Sequence, residues 1–143
     1  GYQVHPGDLL LASRGPSNYV VEIRAVQEPT IAPATFYILR PDLNTDAGYL
    51  AWLLQQPPVQ AELARARTGA ATPVLQREQL KHIRIPLPPL NQQRRIAALA
   101  TLMQRERDLL RRLGDATQRK HQAIGSALLQ GPLRAAATET EAS

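Results

Sequence analysis

An α+β fold, a small mixed domain followed by a long C-terminal helix of the coiled-coil type, is what three features of this 143-residue sequence predict. Short apolar or β-branched runs bounded by Gly, Pro, Asn and Ser recur in the N-terminal part, as strands between tight turns require. The stretch Ile85-Pro-Leu-Pro-Pro-Leu-Asn-Gln-Gln-Arg-Arg-Ile96 is a proline-stiffened strand exit that runs directly into a helix. Beyond it, apolar residues return with a heptad period to about Gln130.

The elements follow in order. Residues 8–13, 19–26 and 35–40 read as strands. Between the first two, Ser13–Asn18 is a polar turn in which Gly15 and Asn18 accommodate positive φ. Asp46 caps a helix from about Ala47 to Gln56, with Tyr49, Leu50, Leu53 and Leu54 at helical spacing. Pro57-Pro58 ends it, and a second short helix is expected over Val59–Arg67. Thr68–Pro73 is small and polar, a loop that another backbone can approach closely. A helical turn near Arg77–Leu80 and a strand at His82–Leu87 complete a domain over residues 1–90. Pro86, Pro88 and Pro89 donate no backbone hydrogen bond, so the chain leaves as an extended connector, and Asn91 is the expected N-cap of the last helix.

That helix is expected over residues 91–131. Its heptad a and d positions are Ile96, Leu99, Met103, Glu106, Leu110, Leu113, Thr117, Lys120, Ile124 and Ala127. Seven of the ten are apolar, and Leu102, Leu109, Ala116 and Ala123 add a flanking stripe. Some 40 residues at 1.5 Å each give a rod of about 60 Å, which needs a partner beyond its own domain. Gly114 and Gly125 weaken it locally, and the Ala/Thr/Glu-rich residues 132–143 read as a disordered tail.

Composition narrows the function. The chain has no cysteine, which removes disulfides and thiolate metal sites and suits a reducing compartment, so a cytoplasmic location is expected. No apolar run reaches the roughly 18 residues that span a bilayer, and the N-terminal residues are not a signal peptide. The sequence does not open on Met, so it reads as a fragment or a processed form. The net charge of +5 suggests an acidic partner such as nucleic acid. Residues 1–90 hold eight Lys or Arg against seven Asp or Glu, while residues 91–134 hold nine against three. The basicity thus belongs to the helix, and DNA recognition by the near-neutral domain would need the helix or a partner protein.

Five pieces in order carry a resemblance: Pro6-Gly-Asp-Leu-Leu-Leu-Ala-Ser-Arg-Gly15; Tyr37-Ile-Leu-Arg-Pro41; Tyr49-Leu-Ala-Trp-Leu-Leu54; Gly69 with Leu80 and Ile83; and Ile85-Pro-Leu-Pro-Pro-Leu-x-x-Gln93 with Ile96. Over nearly all of residues 6–130 the chain resembles the specificity subunits of type I restriction-modification systems, and corresponds to one target recognition domain plus one of the helices that follow such domains. It departs from them in having Gln92 where Glu is common, and in having one recognition domain and one helix where such subunits usually carry two of each. It therefore resembles a half subunit, which a homodimer through the C-terminal helix would complete. The resemblance implies a non-catalytic protein without a cofactor of its own. Its implied partners are double-stranded DNA, a methyltransferase (M) subunit that brings S-adenosylmethionine and acts on a chosen adenine, and a restriction (R) subunit in the complete complex.

Two other readings compete with this one. An enzyme lacks support: Ser13-Arg-Gly-Pro-Ser17 holds a single Gly where a dinucleotide-type turn needs several, no Asn/Asp-Pro-Pro-aromatic tetrad occurs, and Glu78-Gln-Leu-Lys81 is one residue too long for a nuclease Glu-x-Lys. No catalytic residue is assigned. A coiled-coil scaffold or regulatory protein derived from the same fold, not reading DNA sequence, remains the alternative.

Under the specificity reading, Arg14 is the candidate for base-edge contact, since Arg pairs bidentately with guanine O6 and N7. Ser13, Ser17 and Asn18 share its loop. Arg67, Thr68 and Thr72, with Arg65, flank the small loop as phosphate ligands, and Lys81 is preferred over His82 and Arg84. Ile96, Leu99, Met103, Leu110, Leu113 and Ile124 are the partner-binding residues of the helix. Arg94, Arg95, Arg111 and Arg112 are candidates to meet acidic surfaces of a partner or DNA phosphates, although a run of helix arginines is usually a solvated face. His5, His82 and His121 are scattered without an acidic cluster, so no metal site is assigned. Phe36, Tyr49 and Trp52 are read as core.

Overall fold

A computed structural model describes residues 2–141, and for residues 132–134 and 136–141 the backbone alone. The order is β1 (Tyr2–Gln3), β2 (Leu9–Ala12), β3 (Val20–Glu22), β4 (Ile31–Ala32), β5 (Phe36–Leu39), α1 (Ala47–Leu54), α2 (Pro57–Arg65), β6 (Arg67–Thr68), β7 (Val74–Leu75), α3 (Arg77–His82) and α4 (Leu90–Glu141). This is the mixed α+β architecture with a long last helix that the sequence predicts. Two compact units divide between Ala100 and Thr101.

In the first unit β2 is the central strand of an antiparallel sheet, β3-β2-β5, with Leu11 opposite Val20 on one side and Tyr37 on the other. The strand period of two sends Leu9 and Leu11 into the core, where both are fully buried, and leaves Leu10 half-buried. Leu50, Leu53 and Leu54 of α1, Val59 and Leu63 of α2, and Leu75 of β7 close over them. Asp46 caps α1 as expected, its Oδ1 accepting from the Tyr49 amide at 2.8 Å. Tyr49 is core, as predicted, and its ring lies 5.8 Å from that of the half-buried Trp52.

Several local expectations need correction. The first helix does stop before Pro57-Pro58, with Gln56 extended, but it ends at Leu54, and the prolines are themselves the first two residues of α2, where the missing amide at the first position costs nothing; α2 stops at Arg65. His82–Leu87 is no strand. Pro86 within this stretch and Pro88 and Pro89 just beyond it remove donors that a ladder needs, and side chains hold the connector instead: the Tyr49 hydroxyl donates to the Pro86 carbonyl at 2.8 Å and Gln93 Nε2 to that of Pro88 at 2.8 Å. Asn18 does not take positive φ; among the described residues only glycines do, Gly15 at +92° and Gly69 at +104° in the loops that matter below. The pairs β1-β4 and β6-β7 were not foreseen, each strand being two residues long.

The last helix starts one residue before the expected Asn91 cap, with the Pro89 carbonyl accepting from the amides of Gln92 and Gln93. Its first turns belong to the compact unit. Gln93 is buried, and its amide group is fully used: Oε1 accepts from the Asp46 amide at 2.9 Å, and Nε2 donates to the carbonyls of Asn44 at 3.0 Å and Pro88 at 2.8 Å. Ile96 and Ala97 pack against the core. The compact unit thus extends ten residues beyond the expected boundary at residue 90. At the other end the helical backbone continues through the good helix formers Leu133–Ala137 to Glu141, past the expected end at residue 131; Ala142 and Ser143, the end of the expected disordered tail, lie outside the described residues.

Candidate nucleic-acid interface

The loops that sequence reasoning treated separately, Ser13–Asn18 and Thr68–Pro73, are one surface. Arg14 and Val74 form an isolated antiparallel bridge. On either side of it the Leu75 amide donates to the Ser13 carbonyl at 2.8 Å and the Gly15 amide to that of Pro73 at 2.9 Å. Gly15 must be glycine-like to turn here at φ +92°. Gly69 opens the second loop at φ +104°, and a Cβ on it would stand 3.0 Å from the Thr72 carbonyl oxygen, so that loop also depends on glycine. Ser13 additionally donates its amide to the Thr35 carbonyl at 2.8 Å, tying the first loop to the start of β5.

Arg67 lies beneath the first loop. Its Nε donates to Asn18 Oδ1 at 2.6 Å and Nη1 to the Gly15 carbonyl at 3.1 Å. Nη2 donates to the carbonyls of Ala12 at 2.5 Å and Ser17 at 3.0 Å. Burial pushes its pKa down, and all four acceptors are uncharged. From the other side Asn18 Nδ2 donates to the Gln60 carbonyl and Gln60 Nε2 to that of Asn18, each at 3.2 Å.

The predicted DNA-contacting residues therefore separate. Arg14, Ser17, Thr68 and Thr72 are exposed on the joined loops, as is Tyr19 at the end of the first, which the sequence reading did not single out. Ser13 is buried, while Asn18 and Arg67 point inward and are occupied. Arg65 is exposed and donates to the Ala61 carbonyl. Lys81 lies on α3, where it pairs with Glu78 at 2.8 Å and takes no part in the bonds joining the loops; the ammonium holds the Glu78 carboxyl below its ordinary range. No local signal marked Arg67: it follows the end of α2, in β6, and its four acceptors lie 49 to 55 residues away.

Elsewhere in the compact unit, Asp8 is buried and accepts from Arg40 Nε at 2.7 Å and Nη2 at 2.8 Å, and from the His5 amide at 2.8 Å. The Arg40 guanidinium holds its carboxyl below the ordinary range. This cluster fastens the N-terminal segment to β2 and β5. Among the described residues no group of acidic, His or Cys side chains is arranged to hold a metal, and no helix is long and apolar enough to cross a membrane.

The predicted partner-binding residues also divide. Ile96 packs on its own domain, whereas Leu99, Met103, Leu110, Leu113 and Ile124 are exposed, with Leu102, Leu109, Leu128 and Leu129 beside them. Residues 2–112, more than three quarters of the chain, match the family described as type I restriction modification DNA specificity domain. The chain belongs to this family. It is a specificity domain of a non-catalytic kind, in agreement with the resemblance read from the sequence. No curated protein matches it. The family match covers both loops of the specificity domain, the proline connector and the first turns of α4.

Proposed function

We propose that this specificity domain reads a DNA sequence without catalysing a reaction, and that α4 docks the methyltransferase and nuclease subunits that act on the site so chosen. The observation that supports the reading best is the joined pair of loops. They present Arg14, Ser17, Thr68 and Thr72 from a backbone held by internal hydrogen bonds, within a chain that belongs to a DNA specificity family. Arg14 reads a base edge, Ser17, Thr68 and Thr72 hold phosphates or neighbouring edges, and Lys81 adds a more distant phosphate contact once freed from Glu78. Tyr19 extends the same surface. The exposed seam through Leu99, Met103, Leu110, Leu113 and Ile124 pairs two copies, supplying the second recognition domain.

The test is recovery of tagged chain from its native lysate with identification of the chains that come with it. An adenine methyltransferase among them supports the reading and supplies the complex in which the methylated sequence is mapped. Recovery of copies of itself alone favours a scaffold. In the complex, Arg14→Ala is expected to relax site choice while leaving the subunits bound; loss of the subunits with site choice intact contradicts the assignment.

A further inference from the structure

Arg67 stands where a phosphate ligand was expected, but its geometry points to another task. An arginine side chain has five N–H donors in a rigid planar fork. Here four are spent inward, on Ala12, Gly15, Ser17 and Asn18, which mark the beginning, middle and end of the first loop. The acceptors are three carbonyls and an amide oxygen, so the interaction depends on fork geometry and not on pairing with an opposite charge. A lysine would keep the charge but could not reach these acceptors together.

The fork acts on a loop that is costly to hold otherwise. Its centre is a glycine at φ +92°, and its last residue is gripped by Gln60 from the opposite side. With the fork in place the bridge from Arg14 to Val74 fixes the Arg14 backbone before any DNA arrives. A contact residue on a fixed backbone binds with less ordering entropy, and cannot shift to accommodate a wrong base.

Resting on the DNA-reading function above, we propose that Arg67 is a positioning residue: its guanidinium locks the Ser13–Asn18 loop and so sets where Arg14 stands against the base edges, without touching DNA itself. The test uses the full chain in complex with its co-purifying subunits. Duplexes enriched from a random pool are compared with scrambled ones over a range of salt concentrations, for wild type, Arg67→Lys and Arg67→Ala. Hydrogen exchange at the Gly15 amide is followed in the same proteins.

Arg67→Lys keeps the charge and is the less disruptive change if Arg67→Ala fails to fold. It is expected to speed exchange at Gly15 and to cut the enriched-over-scrambled affinity ratio roughly ten- to a hundredfold, the worth of one bidentate base contact. Its salt slope should match wild type, because no phosphate ligand is lost. Unchanged exchange at Gly15, or a ratio that survives Arg67→Lys, overturns the proposal. So does an Arg67→Ala protein whose salt slope falls by about 0.9 with its ratio intact, the mark of a phosphate contact. A wild-type complex that enriches no sequence overturns the DNA-reading function and this proposal with it. Enrichment by wild type alongside an unaffected Arg67→Lys overturns this proposal alone.

Discussion

Leu63 and Leu110 are the same side chain on helices of one chain, and they meet opposite surroundings. Leu63, on α2, is fully buried, while Leu110, on the second unit, is 62 % exposed. The contrast extends to polar groups. In the compact unit the buried Asp8, Ser13 and Gln93 sit within hydrogen-bonded networks, and among the described residues no buried side-chain nitrogen or oxygen lacks a partner. Beyond Thr101 the described residues include surface pairs one turn apart, such as Arg111 to Asp108 at 3.2 Å and Arg107 to Gln104 at 2.7 Å. Such pairs contribute a few tenths of a kcal/mol at most. One unit encloses an apolar core of its own; the other carries a row of exposed apolar side chains.

The strongest way to break this contrast is to cut into the compact unit. Leu63→Ala removes a fully enclosed side chain and is expected to cost about 2–5 kcal/mol in denaturant unfolding. The single Trp, half-buried Trp52 beside Tyr49, reports the transition. A loss below about 1 kcal/mol would mean that the core is not the closed body its burial describes.

Next in size is the joint. Gln93→Leu is close in volume but leaves the Asp46 amide and the carbonyls of Asn44 and Pro88 without their partner. An expected loss of about 1–3 kcal/mol follows from leaving buried polar groups unmatched. Gln92→Leu, at an exposed neighbouring position, is the control and should stay within about 0.5 kcal/mol. Equal effects at the two positions would show that the amide clamp is not what fixes the start of α4.

The joint also shows what the sequence discloses. The three-stranded sheet, α1 with its Asp46 cap and the long helix were legible because period-two and helical apolar spacing are local signals. The role of Gln93 was not, since two of its three partners lie 47 and 49 residues away and nothing in the neighbouring sequence names them. The loops Ser13–Asn18 and Thr68–Pro73 were found as loops. Their union was missed because β6 and β7 are two residues each, too short to leave an alternating pattern. The strand expected at His82–Leu87 failed for a reason visible beforehand: apolar alternation argues for a strand, but the prolines remove the donors, and the donors decide. Arg67 was singled out by residue type, and its inward bonds were not legible because their acceptors lie 49 to 55 residues away.

A smaller effect, whose pH dependence lies in the acid range, belongs to the compact unit. The Arg40 guanidinium lowers the folded pKa of Asp8 below its unfolded value, so the ion pair contributes stability above about pH 3.9 that is lost as pH falls through the lower folded value. Asp8→Asn should therefore be less stable than wild type near neutrality, and the two stability curves should converge as the pH drops below 4. Curves that stay parallel through the acid range would place the value of Asp8 in its shape and not in its charge. Glu78, whose pKa is also lowered, is exposed and adds little to this convergence.

The smallest expected effect on folding sharpens the comparison most. Leu110 and Leu113 are 62 % and 64 % exposed, so replacing both by Asp removes no buried contact and should shift the Trp52 unfolding transition by no more than about 0.5 kcal/mol. The same change puts two charges on the seam, where an apolar partner surface would have to desolvate them. Self-association, measured by sedimentation over a range of concentrations, is therefore expected to disappear while the compact unit unfolds as before. A wild type that sediments as a single chain at every concentration removes the second copy as the seam's occupant. A double variant that still associates places the contact away from these leucines. Destabilisation comparable to Leu63→Ala would dissolve the contrast itself, because the exposed helix would then be part of the same cooperative body.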